Sequence, residues 1–429
     1  MKNLYYTFIL AGCMLIACDK ENNNVDQPIL PPAPAPEVPS EGISPIPIKI
    51  ELSESEQQIV NTTNTFALNL YKQLQNAPRK KNENLLLSPF SLNIALAMLA
   101  NGTQGDALKE ITDATGLKGF SISELNGYYQ KMTEGLKKAD EGAVFSSANS
   151  MWSNKNIILK EDYVTTNKAV YNAECFVVDF ANPSTVNDIN KWCADNTNGK
   201  IDKILESTSA TDLLYLINAI YFSAKWANEF QKESTREGEF IQKDGSVATA
   251  NFMPQKGERP YFRNDLFAST KLEYGNGAFY MQLILPNENY TTEQVIDQLK
   301  EPGYLAECNN RFSTYIVDLS LPRFKVTGKE NLITALEAIG IKKIFTGEND
   351  FPLITDAEIN ISKIKQHTYL TVDEEGSEAA AITYATMSGS AGPAPVPPSA
   401  DFIANRPFLF MICESSTNTI LFMGEVNSI

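Results

Sequence analysis

The sequence predicts an α+β domain over residues 51–429, and three stretches carry that expectation. Residues 84–111, NLLLSPFSLNIALAMLANGTQGDALKEI, place Ser88 as an N-cap, Pro89 at the first helical position and apolar residues at helical spacing, so a buried helix begins there. Residues 213–222, LLYLINAIYF, are apolar almost throughout, as expected of a central strand covered on both faces. Near the C-terminus, PFLFMICE and TILFMGEV flank residues 415–418 and read as a β-hairpin. The length alone would suggest two domains, but no break in composition marks a boundary, so one domain is expected.

Residues 1–17 precede this body as an export signal. Lys2 is followed by an apolar run from Leu4 to Ala17, too short to span a membrane. The sequence Leu15-Ile16-Ala17-Cys18 matches the bacterial lipoprotein signal, which would make Cys18 the lipidated first residue of the mature chain. Residues 18–50 lack apolar periodicity and are dense in Pro and Ala between Pro28 and Pro47, the composition of an extended tether. The expected address is a bacterial cell envelope: an outer-membrane lipoprotein, displayed at the surface or shed, that touches the membrane through its lipid only. Asp19-Lys20-Glu21 is similar to surface-export signals of some bacteria.

A formal charge of −16 and a pI near 4.7 argue against nucleic-acid binding, which relies on clustered Lys and Arg, and favour encounter with cationic partners. Cys175, Cys193, Cys308 and Cys413 are widely spaced without a C-x-x-C pair, so no metal site is expected. They read as buried thiols, though an exported location also permits a disulfide.

Along the body, residues 144–150 and 175–180 read as short strands, and a helix capped by Ser184 carries Val186, Ile189, Asn190 and Cys193 on one face until about Gly199. Within the apolar strand, Asn218 is the polar exception; buried, it needs partners or costs roughly 1–3 kcal/mol. Alternation at 278–286 and 313–324 predicts two further strands, the second with Tyr315, Val317, Leu319 and Leu321 on one face, and the following helix ends at Gly340.

Residues 371–391, TVDEEGSEAAAITYATMSGSA, begin as a strand, break at Gly376 and continue with small residues. Paired in a sheet, Ser377, Ala379, Ala381, Thr383 and Ala385 would share one uniformly small face. Such a strand could enter a packed sheet without overpacking the core; the other reading is an Ala-rich surface loop. The order Glu374-Glu375-Gly376-Ser377-Glu378 before Ala379-Ala380-Ala381 closely resembles the mobile hinge of the serpin family of protease inhibitors. The Ser-Pro-x-Ser helix start at Ser88, NDINKWCADNTNGKIDKIL, LINAIYFSAKWANEF, LPRFKVTGKENLITALEAIGI and DFPLIT resemble other serpin elements in the same order.

The resemblance implies one domain with a large central sheet, two smaller sheets, about eight or nine helices and an exposed reactive loop. It also implies a monomer that acts without a cofactor as a suicide substrate. A protease is held as an acyl-enzyme while the cleaved loop inserts into the sheet, and about fifteen inserted residues at ~3.3 Å each carry it some ~50 Å. Family spacing places the reactive bond at Ser390-Ala391, with Met387 and Ser388 as alternatives. The hinge is then Glu374 to Ala381, and the structural "shutter" beneath the sheet is Ser88, Ser91, Asn218 and His367.

No Lys or Arg lies between Gln366 and Arg406. The expected targets are therefore elastase-, subtilisin-, chymotrypsin- or papain-like enzymes, not trypsin-like ones. The Pro-rich GPAPVPPSA reads as a stiff spacer. A non-inhibitory serpin serving as a surface binding or decoy protein is the alternative function. A hydrolase would have to use His367, the single histidine, and no phosphate loop, H-E-x-x-H or nucleophile elbow accompanies it.

Overall fold

The computed structural model describes residues 46–346, 350–377 and 396–429. The lipidation residue Cys18, nearly all of the tether, the hinge residues Glu378, Ala379, Ala380 and Ala381, and the reactive-bond residues Met387, Ser388, Ser390 and Ala391 lie outside them.

The first described residues already belong to the folded body. Ile48 donates its backbone N–H to Ala139 O at 3.1 Å, and Ile50 is buried, so packing begins slightly before residue 51. Helix α1 (Glu54–Asn76) starts with a capping box between Ser53 and Glu56, which satisfies two otherwise unpartnered N–H groups. Strand β1 (Leu85–Leu87) leads into α2 (Pro89–Ala100), whose residues are buried almost all round, with Ser88 as N-cap and Pro89 at its start. Helices α3 (Gly105–Ala114) and α4 (Ile122–Ala139) follow.

Strand β2 (Val144–Asn154), α5 (Glu161–Tyr171), β3 (Glu174–Val178), α6 (Ser184–Asn196) and β4 (Leu214–Lys225) come next. Ser184 is the first helical residue of α6 and Pro183 stands at the N-cap; Asn182 Oδ1 accepts from the Ser184 N–H at 3.0 Å. Strand β4 is the apolar run, buried at eleven of its twelve positions, which is why its residues do not alternate.

Strands β5 (Arg236–Ile241), β6 (Val247–Arg263), β7 (Phe267–Tyr274) and β8 (Phe279–Pro286) precede α7 (Thr292–Leu299) and α8 (Tyr304–Asn310). After them come β9 (Ser313–Pro322), β10 (Phe324–Asn331) and α9 (Ile333–Ala338), with Gly340 beyond it at φ +105°. The chain ends with β11 (Lys365–Val372), β12 (Gly376–Ser377), β13 (Ser399–Ile403) and the hairpin of β14 (Phe408–Glu414) and β15 (Ile420–Val426).

One hydrogen-bonded path runs β1-β15-β14-β8-β7-β6-β9-β13, with β5 on β6; the 17-residue β6 pairs β7 at its end and β9 along its middle, and so makes the two smaller sheets continuous. The central layer consists of β12-β4-β2-β3 and the ribbon β10-β11, with β11 lying alongside β4. Among the described residues no backbone ladder joins β4 to β11. Strands β4 and β11 therefore face each other across a seam, at whose upper end β12 pairs with β4.

All four body cysteines are unpaired thiols, and burial pushes those of Cys193 and Cys413 up to about 12, which makes them poor nucleophiles. Among the described residues no helix is long and apolar enough to cross a membrane, and no cluster of His, Cys, Asp or Glu is arranged to hold a metal ion.

Candidate functional site

At the upper end of the seam the chain turns back into the sheet. Asp373 Oδ1 accepts from the N–H groups of Glu375 (2.9 Å) and Gly376 (3.3 Å), and Asp373 N–H donates to Gly376 O at 3.1 Å. The reversal lets β12 pair antiparallel with the C-terminal end of β4, Gly376 opposite Lys225 and Ser377 opposite Ala224. A Cβ at Gly376 would sit 2.3 Å from Ala224 O, so only glycine permits that approach. Ser377 is fully buried, and its hydroxyl shares a 2.7 Å hydrogen bond with Tyr274 OH.

Three anchors hold this turn. Trp226 donates its Nε1–H to Asp373 O at 2.9 Å and its backbone N–H to Glu375 O at 3.0 Å, and its ring stacks on Tyr274 at 4.4 Å. Phe230 N–H donates to Glu374 O. The buried Glu374 carboxylate accepts from Arg323 Nε (2.8 Å) and Nη2 (2.6 Å) and from the Thr235 hydroxyl. Burial alone would push that carboxyl up, but these hydrogen bonds outweigh it and hold the group below the usual carboxylate range. Glu375, half-exposed, pairs with Lys232.

Farther down the seam, a buried polar clasp links β11 to β4 through α2. Gln366 Oε1 accepts from Ser88 N–H at 2.7 Å, and its Nε2 donates to Ser88 O at 2.9 Å and Ser91 Oγ at 3.3 Å. Ser91 Oγ hydrogen-bonds Asn218 Oδ1, while Asn218 Nδ2 donates to Asn149 Oδ1 at 2.6 Å and Ser147 Oγ at 3.4 Å. Every one of these side chains is buried.

Ser88, Ser91 and Asn218 thus stand together, whereas His367 does not join them. Strand β11 alternates, with Gln366, Thr368, Leu370 and Val372 inward and His367 half-buried on the other face opposite Lys329. The expected shutter histidine is off by one position, and in a strand one position is the opposite face. Leu370 and Val372 were the signal: the residues sharing their parity include Gln366, not His367. Burial, aided by Lys329 and Lys365, pushes the His367 imidazole down to about 4. Asn149 and Ser147, and the turn's partners Tyr274, Arg323 and Thr235, come from distant parts of the chain and left no local signal.

This geometry gives paired expectations. Gln366→Leu strands the buried Ser88 N–H and should cost about 1–3 kcal/mol, read as a lower denaturation midpoint; an unchanged midpoint would refute the clasp. His367 titrates at 6.5 when unperturbed and near 4 in the fold. Its contribution is complete above about pH 6.5 and is lost as pH falls toward 4. Because it is the chain's one histidine, His367→Gln should flatten the stability loss seen between pH 6.5 and the onset of carboxylate titration.

A family model described as Serpin (serine protease inhibitor) matches residues 61–429. An uncharacterized serpin-like protein of Thermococcus kodakarensis is 32% identical over 401 residues, covering 92% of each chain. The leukocyte elastase inhibitor of Sus scrofa is 28% identical, covering 87% of this chain and all of its own. Among solved structures, the thermophilic serpin tengpin in its native state superposes with a TM-score of 0.78 at 31% identity, over 88% of this chain and 95% of its own.

Proposed function

The chain belongs to the serpin family of serine protease inhibitors, and from that premise we propose that it is an inhibitory member that traps proteases by loop insertion. The observation that carries the proposal is the antiparallel pairing of Ser377 with Ala224 at the head of the seam between β4 and β11. The hinge has already taken the first step of strand addition.

Continued in register, the antiparallel ladder would set Thr383 opposite Asn218 and Met387 opposite Leu214, the first residue of β4. Thr383 would then share the inward face of Ser377 and bring a hydroxyl to the Asn218 clasp as the seam opens. Cleavage at Met387 to Ala391 leaves enough chain to fill the seam and carry a tethered protease to the far pole, where its acyl-enzyme ester persists. Cleavage at Tyr384 leaves a shorter insert and releases the enzyme.

The targets are serine, and also cysteine, endopeptidases that accept small or apolar residues, in line with the name of the porcine elastase inhibitor. Residues 1–17 are a lipoprotein signal, Cys18 carries the lipid, and residues 18 to about 50 tether a monomeric inhibitor to a bacterial outer membrane, where it meets proteases at the surface or after shedding. The test is incubation of the body with elastase-, subtilisin-, papain- and trypsin-like enzymes. Stable covalent complexes with members of the first three classes, and a released fragment beginning between residues 388 and 391, are expected. Clean cleavage without a complex by every enzyme would favour the decoy reading.

A further inference from the structure

Trp226, which anchors the hinge, also lines a cavity of about 110 Å³ bounded by Asn228, Gln255, Arg259, Lys271 and Leu272. Arg259 is 9% exposed and donates from Nη2 to Gln255 Oε1 at 2.8 Å, yet its buried Nε and Nη1 meet no acceptor. Burial pulls the guanidinium down to about 10 without any neighbouring carboxylate to oppose it. Lys271 is held down in the same way, its ammonium 4.2 Å from the Tyr280 ring centroid and 4.8 Å from that of Phe312. Glu258 and Glu273 stand at the rim, both exposed, and neither bonds Arg259.

An uncompensated buried cation is strongly destabilising, and buried donors without partners are rare in folded proteins. Water could occupy the space, since one molecule needs only ~30 Å³, but it would leave the charge unbalanced. The unpartnered Nε–H and Nη1–H groups of Arg259 are charged donors, and such donors make strong hydrogen bonds to carboxylate or phosphate oxygens.

We propose that this cavity is a binding site for a small oxyanion, a carboxylate or a phosphate group, whose oxygens accept from the unpartnered donors of Arg259 and whose charge balances the buried guanidinium. The site stands apart from the question of protease inhibition. Gln255 Oε1 accepts from Nη2 and so fixes the plane of the guanidinium.

The test is thermal unfolding of the full chain at constant ionic strength in chloride, phosphate or acetate, for the wild type, Arg259→Met and Gln255→Glu. Phosphate raises Tm generally by exclusion from protein surfaces, so the quantity read is the increment over Arg259→Met. The wild type should show a saturable rise several degrees larger than that variant in phosphate or in acetate, and the responsive salt identifies the ligand class. Gln255→Glu sets a carboxylate against Arg259 while giving up the Gln255 Nε2 bonds to Asn228 O and Glu229 O, and it should lose the increment. Equal increments in all three proteins, or no saturation in either salt, would overturn the proposal.

Discussion

Ser377→Arg should convert the protein from an inhibitor into a substrate. Ser377 is fully buried, opposite Ala224 and bonded to Tyr274, so an arginine there places an unpaired charge within the sheet, at a cost of several kcal/mol. The side chain is expelled and β12 with it, and insertion must begin from an unpaired hinge. Trapping is a race between insertion and hydrolysis of the acyl-enzyme, and a delayed start favours hydrolysis. On a denaturing gel the variant should yield cleaved chain and free protease. Covalent complex at the wild-type stoichiometry would contradict the role given to the hinge. Ser377→Ala removes one hydrogen bond without adding charge or bulk, and should still form complex.

Arg323→Ala should lower stability by about 2–3 kcal/mol at neutral pH, because it leaves the buried Glu374 carboxylate without its two charge-assisted hydrogen bonds. Glu374 titrates below the ordinary carboxylate value in the fold. Its stabilisation is therefore present above that ordinary value and lost as pH falls through the lower, folded one. The difference between wild type and variant should shrink in acid, and denaturant midpoints at neutral and acid pH measure it. A difference independent of pH would assign the loss to packing of the arginine stem instead.

Much of the fold could be read in the chain because its elements carry local signatures: the Ser88-Pro89 start of α2, the unbroken apolar run of β4 and the terminal hairpin. The break at Gly376 was legible for a related reason, since only glycine permits backbone to approach backbone as closely as it does there. What escaped depended on partners far away in sequence. Arg323, between β9 and β10, and Thr235, just before β5, reach Glu374 from distant parts of the chain, and nothing adjacent to them marks that contact. The exchange of Gln366 for His367 has a different origin: a histidine draws chemical attention, yet the parity of a β-strand decides which side chain faces inward, and the apolar Leu370 and Val372 share their parity with Gln366. The continuity of the two smaller sheets through β6 likewise lies in pairing, which composition does not encode.

The central claim is that a cleaved loop enters the seam between β4 and β11. Thermal unfolding of the protein before and after proteolytic nicking within residues 387–391 tests it most directly. Insertion adds a full-length ladder on both edges of the seam and buries the small face of the loop, so the nicked protein should remain folded well above the temperature at which the intact protein melts. A nicked protein that melts at or below the intact one would show that the loop stays outside the sheet, and the account of trapping would fail with it.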